Sequence, residues 1–383
     1  MTNDLSGMRL AGICAYAPRL TWDNRKVSAR LRLARIRRDA QLRRERGHGL
    51  TEDEAREFAT SDRWVRRFIG FSERRFSADG EGTIDLATRA ARRLLERTGT
   101  APADVDGILF ASVTPSYLYS PPDAALLQEA LGIPILQGGS PRELKGADVS
   151  LACSSWVASL MLAYALIRSG LARRIVLVGA DRMSATINWS DRSFATVLGD
   201  AGTATLCEAV PAGEDWFAPE RFWSWLDGSH AAIIQTPVGG SRAPLRSSDD
   251  LEHARHCLAM DGRQVKEVLV PFVGGPAITA ALGKAGWRLD QLDLVALHEA
   301  NLMLNDAIIA QWRKGGFRGE VLTAGGRFGN TTSASIPLAL ALNPGALAVG
   351  RRFGLFGFGG GLSASIAFGI IRHPMAITAD VDG

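Results

Sequence analysis

The chain has 383 residues, 46% of them hydrophobic, and 44 lysines and arginines against 40 acids give a formal net charge of +4. That length favours two packed units with a sizeable core, and so small a charge gives no electrostatic reason to expect a nucleic-acid partner. No opening stretch joins a basic start, an apolar core and a small-residue cleavage site, and the apolar run 157–167 is too short and interrupted to span a bilayer, so neither secretion nor membrane insertion is expected.

The first unusual segment runs from Arg25 to Arg46, where ten basic residues accompany two acids, and Thr51-Glu52-Asp53-Glu54 then reads as a capping box opening another helix. This region, about 25–60, reads either as a solvated helical arm or dimer-edge element, or as a docking patch for an acidic protein. Nucleic acid is disfavoured because no aromatics interleave the charges. Next, a polar helix-like stretch ending at 101–106 leads into an apolar strand at 107–113. Cys153 follows in Asp148-Val149-Ser150-Leu151-Ala152-Cys153, where a strand-like run gives way to a helix-like segment. The free amides of a helix start are expected to stabilise its thiolate, the reactive form. Continuous apolar strands such as 175–178, alternating with helix-length segments, argue for sheets covered on both faces. Periodicity breaks at Pro211-Ala212-Gly213-Glu214-Asp215.

Beyond that break the pattern repeats. Residues 287–293 lead into the strand ending at His298 as 101–106 lead into 107–113, and Gly329-Asn330-Thr331-Thr332 echoes Ala152-Cys153-Ser154-Ser155. The expected organisation is therefore a half at 1–210 carrying Cys153 and the basic insertion, and a half at 211–383 carrying His298 and Asn330. Plainer readings exist for single residues. Cys14, Cys207 and Cys257 read as small buried hydrophobes, and the four cysteines show neither metal spacing nor a disulfide framework, which fits a reducing cytoplasm. His253 and His256 lack a third metal ligand at useful spacing, Asn330 could cap a helix, and the glycine run at 357–361 lacks the Lys-Ser/Thr of a phosphate loop.

Read together, the segments around Cys153, His298-Glu299-Ala300-Asn301, Gly329-Asn330 and Gly357-Phe358-Gly359-Gly360-Gly361 resemble, in that order, the thiolase superfamily. Thr60-Ser61-Asp62-Arg63-Trp64, Gly70 to Arg75, Ser190-Asp191-Arg192 and Leu198-Gly199-Asp200-Ala201-Gly202 lie between them in matching order. The likeness is greatest to the 3-oxoacyl-(acyl-carrier-protein) synthase III, or ketoacyl synthase III, group and extends over most of the chain. It implies an α/β thiolase fold of two similar halves, layered helix-sheet-helix-sheet-helix.

The resemblance also implies an acyltransferase that makes carbon–carbon bonds. Cys153 would carry the acyl group, which a Claisen condensation joins to a malonyl- or ketoacyl-thioester. His298 and Asn330 would donate hydrogen bonds to the second substrate's thioester carbonyl, and the N–H groups of Cys153 and Gly360 would form the oxyanion hole. Trp64, Arg192 and Asn301 match CoA-contacting positions, and Ser120 would line the acyl pocket across a dimer interface. The substrates would be CoA or carrier-protein phosphopantetheine thioesters, with no further cofactor and no metal. The partners would be acyl carrier protein and/or acyl-CoA, for a cytoplasmic homodimer. Departures matter too: Met303 stands where the group carries a docking arginine, Glu299 replaces a glutamine, and Phe68 stands where a cation is frequent, leaving Arg67 to replace it. With the insertion, these lean toward specialised polyketide or fatty-acid-derived biosynthesis. An acyltransferase or non-decarboxylating condensing enzyme of the same fold, or a non-catalytic partner subunit, are the alternatives.

Overall fold

Successive side chains of a strand point to opposite faces, and the central strands of this chain are apolar on both. The computed structural model describes residues 5–381. Its first sheet contains β1 (Leu5–Tyr16), β2 (Gly107–Ala111), β3 (Lys145–Val149), β4 (Arg174–Asp181) and β5 (Ala201–Pro211). Its second contains β6 (Phe222–Leu226), β7 (Leu294–Leu297), β8 (Glu320–Leu322), β9 (Arg352–Gly359) and β10 (Ser363–Ile370). Ile108, Phe110, Val176 and Val178 face an outer core under the helices Thr83–Thr98 and Asp123–Ala130, while Leu109, Ala111, Ile175 and Leu177 face inward. The second sheet alternates likewise: Val295, Leu297, Phe356 and Phe358 turn outward, and Leu294, Ala296 and Leu355 inward.

Both inner faces close on the helices Ser155–Arg168 and Ser335–Leu342. A helix apolar all round has no side to give to water, and nearly every residue of Ser335–Leu342 is buried. The layers are thus helix, sheet, helix, sheet, helix. Strand order makes the duplication explicit. The first sheet runs β1-β5-β4-β2-β3 and the second β6-β10-β9-β7-β8, with the same antiparallel and parallel pairings at each step. Every strand of one half therefore has a positional counterpart in the other. A last strand, β11 (Ala376–Asp380), crosses back to pair parallel with β1. The division at 210/211 is a proposal about organisation; it leaves five matched strands on either side and places β11 in the first sheet although it belongs to the second segment.

The basic segment forms the helix Asn24–Arg46, opened by Asp23, whose side chain accepts from the N–H of Lys26, and closed by Gly47 at φ 75°. The Thr51–Glu54 capping box follows as expected. Asn24 anchors the helix internally: its amide donates to Asp62 (2.9 Å) and to the carbonyl of Phe71 (2.9 Å), and accepts from the buried Arg74 (2.8 Å). One feature escapes a search for uninterrupted apolar runs. Gly262–Ala285 is long and apolar enough by composition to cross a membrane, yet half of its most apolar stretch is buried. It packs on the second sheet as Gly262–Phe272, a π turn at Val273–Ala277 and Ile278–Ala285.

Candidate active site

The turn after β3 gives Cys153 its setting. Ala152 is held at φ 46°, a left-handed conformation that residues with a Cβ adopt at a cost, and Leu151 and Cys153 form a single β-bridge. The hydroxyl of Ser155 donates to the carbonyl of Ala152 (2.6 Å) and accepts from the N–H of Leu151 (2.7 Å), which ties the turn to the helix Ser155–Arg168. Opposite lies the end of β9. A carbon added to Gly359 would sit 2.8 Å from Cβ and 2.9 Å from Sγ of Cys153, so only glycine allows this approach. The N–H groups of Cys153 and Gly360 lie near enough to the sulfur to favour its anion.

Burial, with a lesser contribution from the charge of Asp181, pushes the Cys153 thiol up to about 12. The sequence-based expectation of a thiolate stabilised by the helix start is therefore corrected. The first helical residue is Ser155, two positions on, and desolvation outweighs the N–H groups that favour the anion.

His298 follows β7, the second strand of its half, and Asn330 follows β8, the third, as Cys153 follows β3. The N–H of His298 donates to the carbonyl of Phe356 (2.9 Å), and its own carbonyl accepts from Asn305 (2.9 Å). Neither ring nitrogen has a partner among the described residues, although the residue is wholly buried. Burial pulls its pKa down to about 3, so the ring is neutral, with one N–H to donate. Buried polar atoms are seldom left unpaired without a reason. The neighbouring Glu299 turns elsewhere: its carboxylate accepts from the N–H of Ala324 (2.5 Å), and burial raises its pKa to about 7. Asn330 is not a helix cap. Its side-chain oxygen accepts from the N–H of Thr332 (2.9 Å), and its backbone bridges Val197 and Gly199.

Cys153, His298, Asn330 and Gly360 line one cavity of about 910 Å³, whose wall also includes Trp64, Arg67 and Asn301. That is near the upper end of small-molecule sites. Other sequence-selected residues are placed differently. Arg192 lies off the wall, its guanidinium 4.7 Å from the Trp64 ring centroid and donating to the carbonyl of Ala59 (2.5 Å). Asn301 caps the helix Leu302–Lys314 by accepting from the N–H groups of Met303 and Leu304, and donates to the carbonyl of Phe68, so its amide is already engaged. Ser120 is exposed, in a loop whose Tyr119 hydroxyl donates to the carbonyl of Gly239, and does not line this chain's cavity. Sequence reasoning missed an apolar part of the wall formed by Met183, Phe194, Leu198, Leu258 and Met260. As scattered apolar residues they carry no local signal that separates a ligand wall from ordinary core.

Comparison with known proteins agrees with this architecture. Residues 147–219 match the family model for 3-oxoacyl-[acyl-carrier-protein (ACP)] synthase III, and 282–369 match the model for its C-terminal part. The β-ketoacyl-[acyl-carrier-protein] synthase III of Symbiobacterium thermophilum is 33% identical over 305 residues, 79% of this chain and 88% of that protein. A 3-oxoacyl-(acyl-carrier protein) synthase from Burkholderia xenovorans LB400 superposes with TM-score 0.77 at 27% identity over 98% of this chain and 97% of that one. The priming β-ketosynthase of the R1128 polyketide biosynthetic pathway, 24% identical with TM-score 0.77 and covering 98% and 99%, shares the fold. The chain belongs to the ketoacyl synthase III family and is an acyltransferase-type condensing enzyme of the thiolase fold.

Proposed function

We propose that the protein takes an acyl group from an acyl thioester onto Cys153 and condenses it with a malonyl thioester. The observation that carries this reading is that Cys153, His298 and Asn330 share one cavity wall, where the backbone of Gly359 packs against the sulfur and the N–H groups of Cys153 and Gly360 lie near enough to favour its anion. In the first step sulfur attacks the donor carbonyl. The oxyanion sits on those two N–H groups, the donor's carbon–sulfur bond breaks, and the cysteine proton leaves with the released thiol. In the second step the neutral ring N–H of His298 and the amide N–H of Asn330 hold the malonyl thioester carbonyl. Carbon dioxide departs, and the enolate carbon bonds to the acyl carbon, expelling the Cys153 thiolate, which takes up a proton. These steps draw on thioester substrates and protein groups alone.

The thioester carriers and the assembly belong to the same proposal. Arg67 and Lys266 lie exposed at the cavity wall and supply positive charge for a phosphate-bearing carrier. An adenine over Trp64 would have to displace the Arg192 guanidinium that now covers it. The acyl chain would run along Met183, Phe194, Leu198 and Met260, which favours a long or branched donor and fits a specialised pathway. The outer edge of β3, with Tyr117, Leu118, Tyr119, Ile135 and Leu136 exposed nearby in sequence, supports a homodimer that covers this edge and brings Ser120 toward a partner's cavity. The unpaired cysteines fit a cytoplasmic location.

Carrier protein is proposed to dock along the basic helix. It packs beside the helix Asp62–Phe68, which carries Trp64 and Arg67 to the cavity. Its outward face presents Leu33 and Ile36 among Arg32, Arg37 and Arg44, all exposed, and these three arginines form no ion pair among the described residues.

Intact-mass analysis after incubation with acyl-CoA should find one acyl group on the wild type and none on Cys153→Ala. His298→Ala and Asn330→Ala should still acylate but lose malonyl-dependent carbon dioxide release by roughly a hundredfold or more, as expected for a lost oxyanion donor. If both lose acylation and keep decarboxylation, the roles are wrongly divided.

The raised thiol pKa gives a second test. Thiolate is the reacting form, so alkylation of Cys153 by iodoacetamide should climb roughly tenfold per pH unit and continue past about pH 9, beyond the ordinary thiol value. A plateau near neutrality would show a thiolate already formed in the resting enzyme.

Reversing charge at Arg32, Arg37 and Arg44 should raise KM several-fold for carrier-bound substrate and leave KM for acyl-CoA unchanged, with the difference shrinking as salt rises. Equal KM for the carrier-bound form at low ionic strength would leave this helix a structural element.

A further inference from the structure

Asp181 ends β4, the fourth strand of its half, and its counterpart ending β9 is Gly359. Gly359 abuts the turn of Cys153. Asp181 abuts the turn of Asn330. Its carboxylate is wholly buried and, among the described residues, makes no ion pair; it is satisfied by hydrogen-bond donors from two loops. One oxygen accepts from the hydroxyl of Ser112 (2.9 Å), the N–H of Val113 (2.7 Å), and the N–H and hydroxyl of Thr114 (3.1 and 3.0 Å). The other accepts from the hydroxyl of Thr332 and the N–H of Ser333 (3.0 Å).

Those last two bonds bear on Asn330. Thr332 sits at φ 45°, a conformation that a β-branched residue keeps only when its surroundings over-determine it. The carboxylate holds its side chain and the N–H that follows. Gly179, two residues earlier on β4, lets the turn settle onto the strand, since a carbon there would lie 2.5 Å from the carbonyl oxygen of Ser333. With Thr332 fixed, its N–H points at the Asn330 side chain. A backbone N–H can only donate, so the atom it meets must be the amide oxygen, and the amide nitrogen is left to face the cavity. The backbone of Asn330 is pinned separately, its N–H donating to Val197 (2.8 Å) and its carbonyl accepting from Gly199 (3.0 Å).

We propose that Asp181 is a positioning residue: through Thr332 it fixes the Asn330 amide with its N–H groups turned toward the substrate carbonyl. This rests on the role given to Asn330 above. Without the carboxylate, Thr332 is free to leave its left-handed conformation, its N–H no longer selects the amide oxygen, and the Asn330 amide can present oxygen to a developing oxyanion. The cysteine step, whose oxyanion donors are the N–H groups of Cys153 and Gly360, does not depend on that choice.

The test separates the two half-reactions in the full-length protein. Asp181→Asn and Thr332→Val are compared with Thr332→Ser, which keeps the hydroxyl that bonds the carboxylate. Acylation is read by intact mass with an acyl-CoA, and decarboxylation by carbon dioxide release from malonyl-CoA. Thr332→Val should acylate like the wild type, and Asp181→Asn no more slowly, because losing the carboxylate removes a charge that raises the Cys153 thiol; both should lose kcat for decarboxylation about tenfold or more, with KM for malonyl-CoA little changed, and Thr332→Ser should restore most of that loss. A wild type that acylates and decarboxylates, paired with a folded Thr332→Val that does both equally well, would overturn the inference while leaving the reading of Asn330 intact. So would an equal fall in both half-reactions, or a Thr332→Ser no better than Thr332→Val. A wild type that acylates but releases no carbon dioxide would overturn the reading of Asn330 itself, and this inference with it.

Discussion

The backbone of Gly359 passes so close to Cys153 that one added carbon would lie 2.9 Å from the sulfur, and much of the site is arranged around that approach. It brings the end of β9 in one half against the turn after β3 in the other, so that an N–H from each half lies near enough to the sulfur to favour its anion. Neither half holds this arrangement alone. The central helices Ser155–Arg168 and Ser335–Leu342 keep the two sheets at a fixed spacing, because their apolar surfaces are buried against both. Tight packing at this density transmits small volume changes, which is why the active turn tolerates only glycine opposite the sulfur.

The same burial sets the charge state of the site. Cys153 is pushed toward the protonated thiol and His298 toward the neutral imidazole. An ion pair of thiolate and imidazolium would face the desolvation penalty of two buried charges. A neutral resting site avoids it, and the fixed N–H groups stand where the proposed reaction would develop negative charge. Such preorganised donors act most strongly where water is excluded. A neutral histidine also remains a hydrogen-bond donor over the whole physiological pH range, as the proposed second half-reaction would require of it.

Much of this was legible in the chain. The repeated pattern of polar helix, apolar strand and small-residue turn marked both halves, and the strand orders match because the same hydrophobic alternation was written twice. Cys153, His298 and Asn330 stood out because each lies in a turn beyond a strand, among neighbours that match the family's motifs, and Thr51 with Glu54 announced its helix through local capping chemistry. What stayed hidden depends on contacts distant in sequence. The return of β11 to β1 follows from edge pairing between chain ends. The direction of the Cys153 shift follows from burial by both halves, which no local motif reports. Asn301, chosen for its neighbours in the motif, is occupied by helix capping, and Asp181 reads as an ordinary strand end until Thr332 and Ser333 are folded against it.

The central claim, that one N–H from each half forms the oxyanion site around Cys153, is tested most directly by a crystal structure of the wild-type protein acylated by an acyl-CoA in the absence of a malonyl donor. The account predicts an acyl carbon bonded to Sγ of Cys153, with its carbonyl oxygen about 3 Å from the backbone nitrogens of both Cys153 and Gly360 and the polar edges of His298 and Asn330 facing the remaining cavity. An acyl oxygen turned onto His298 and Asn330, or an acyl group attached to any other residue, would contradict it.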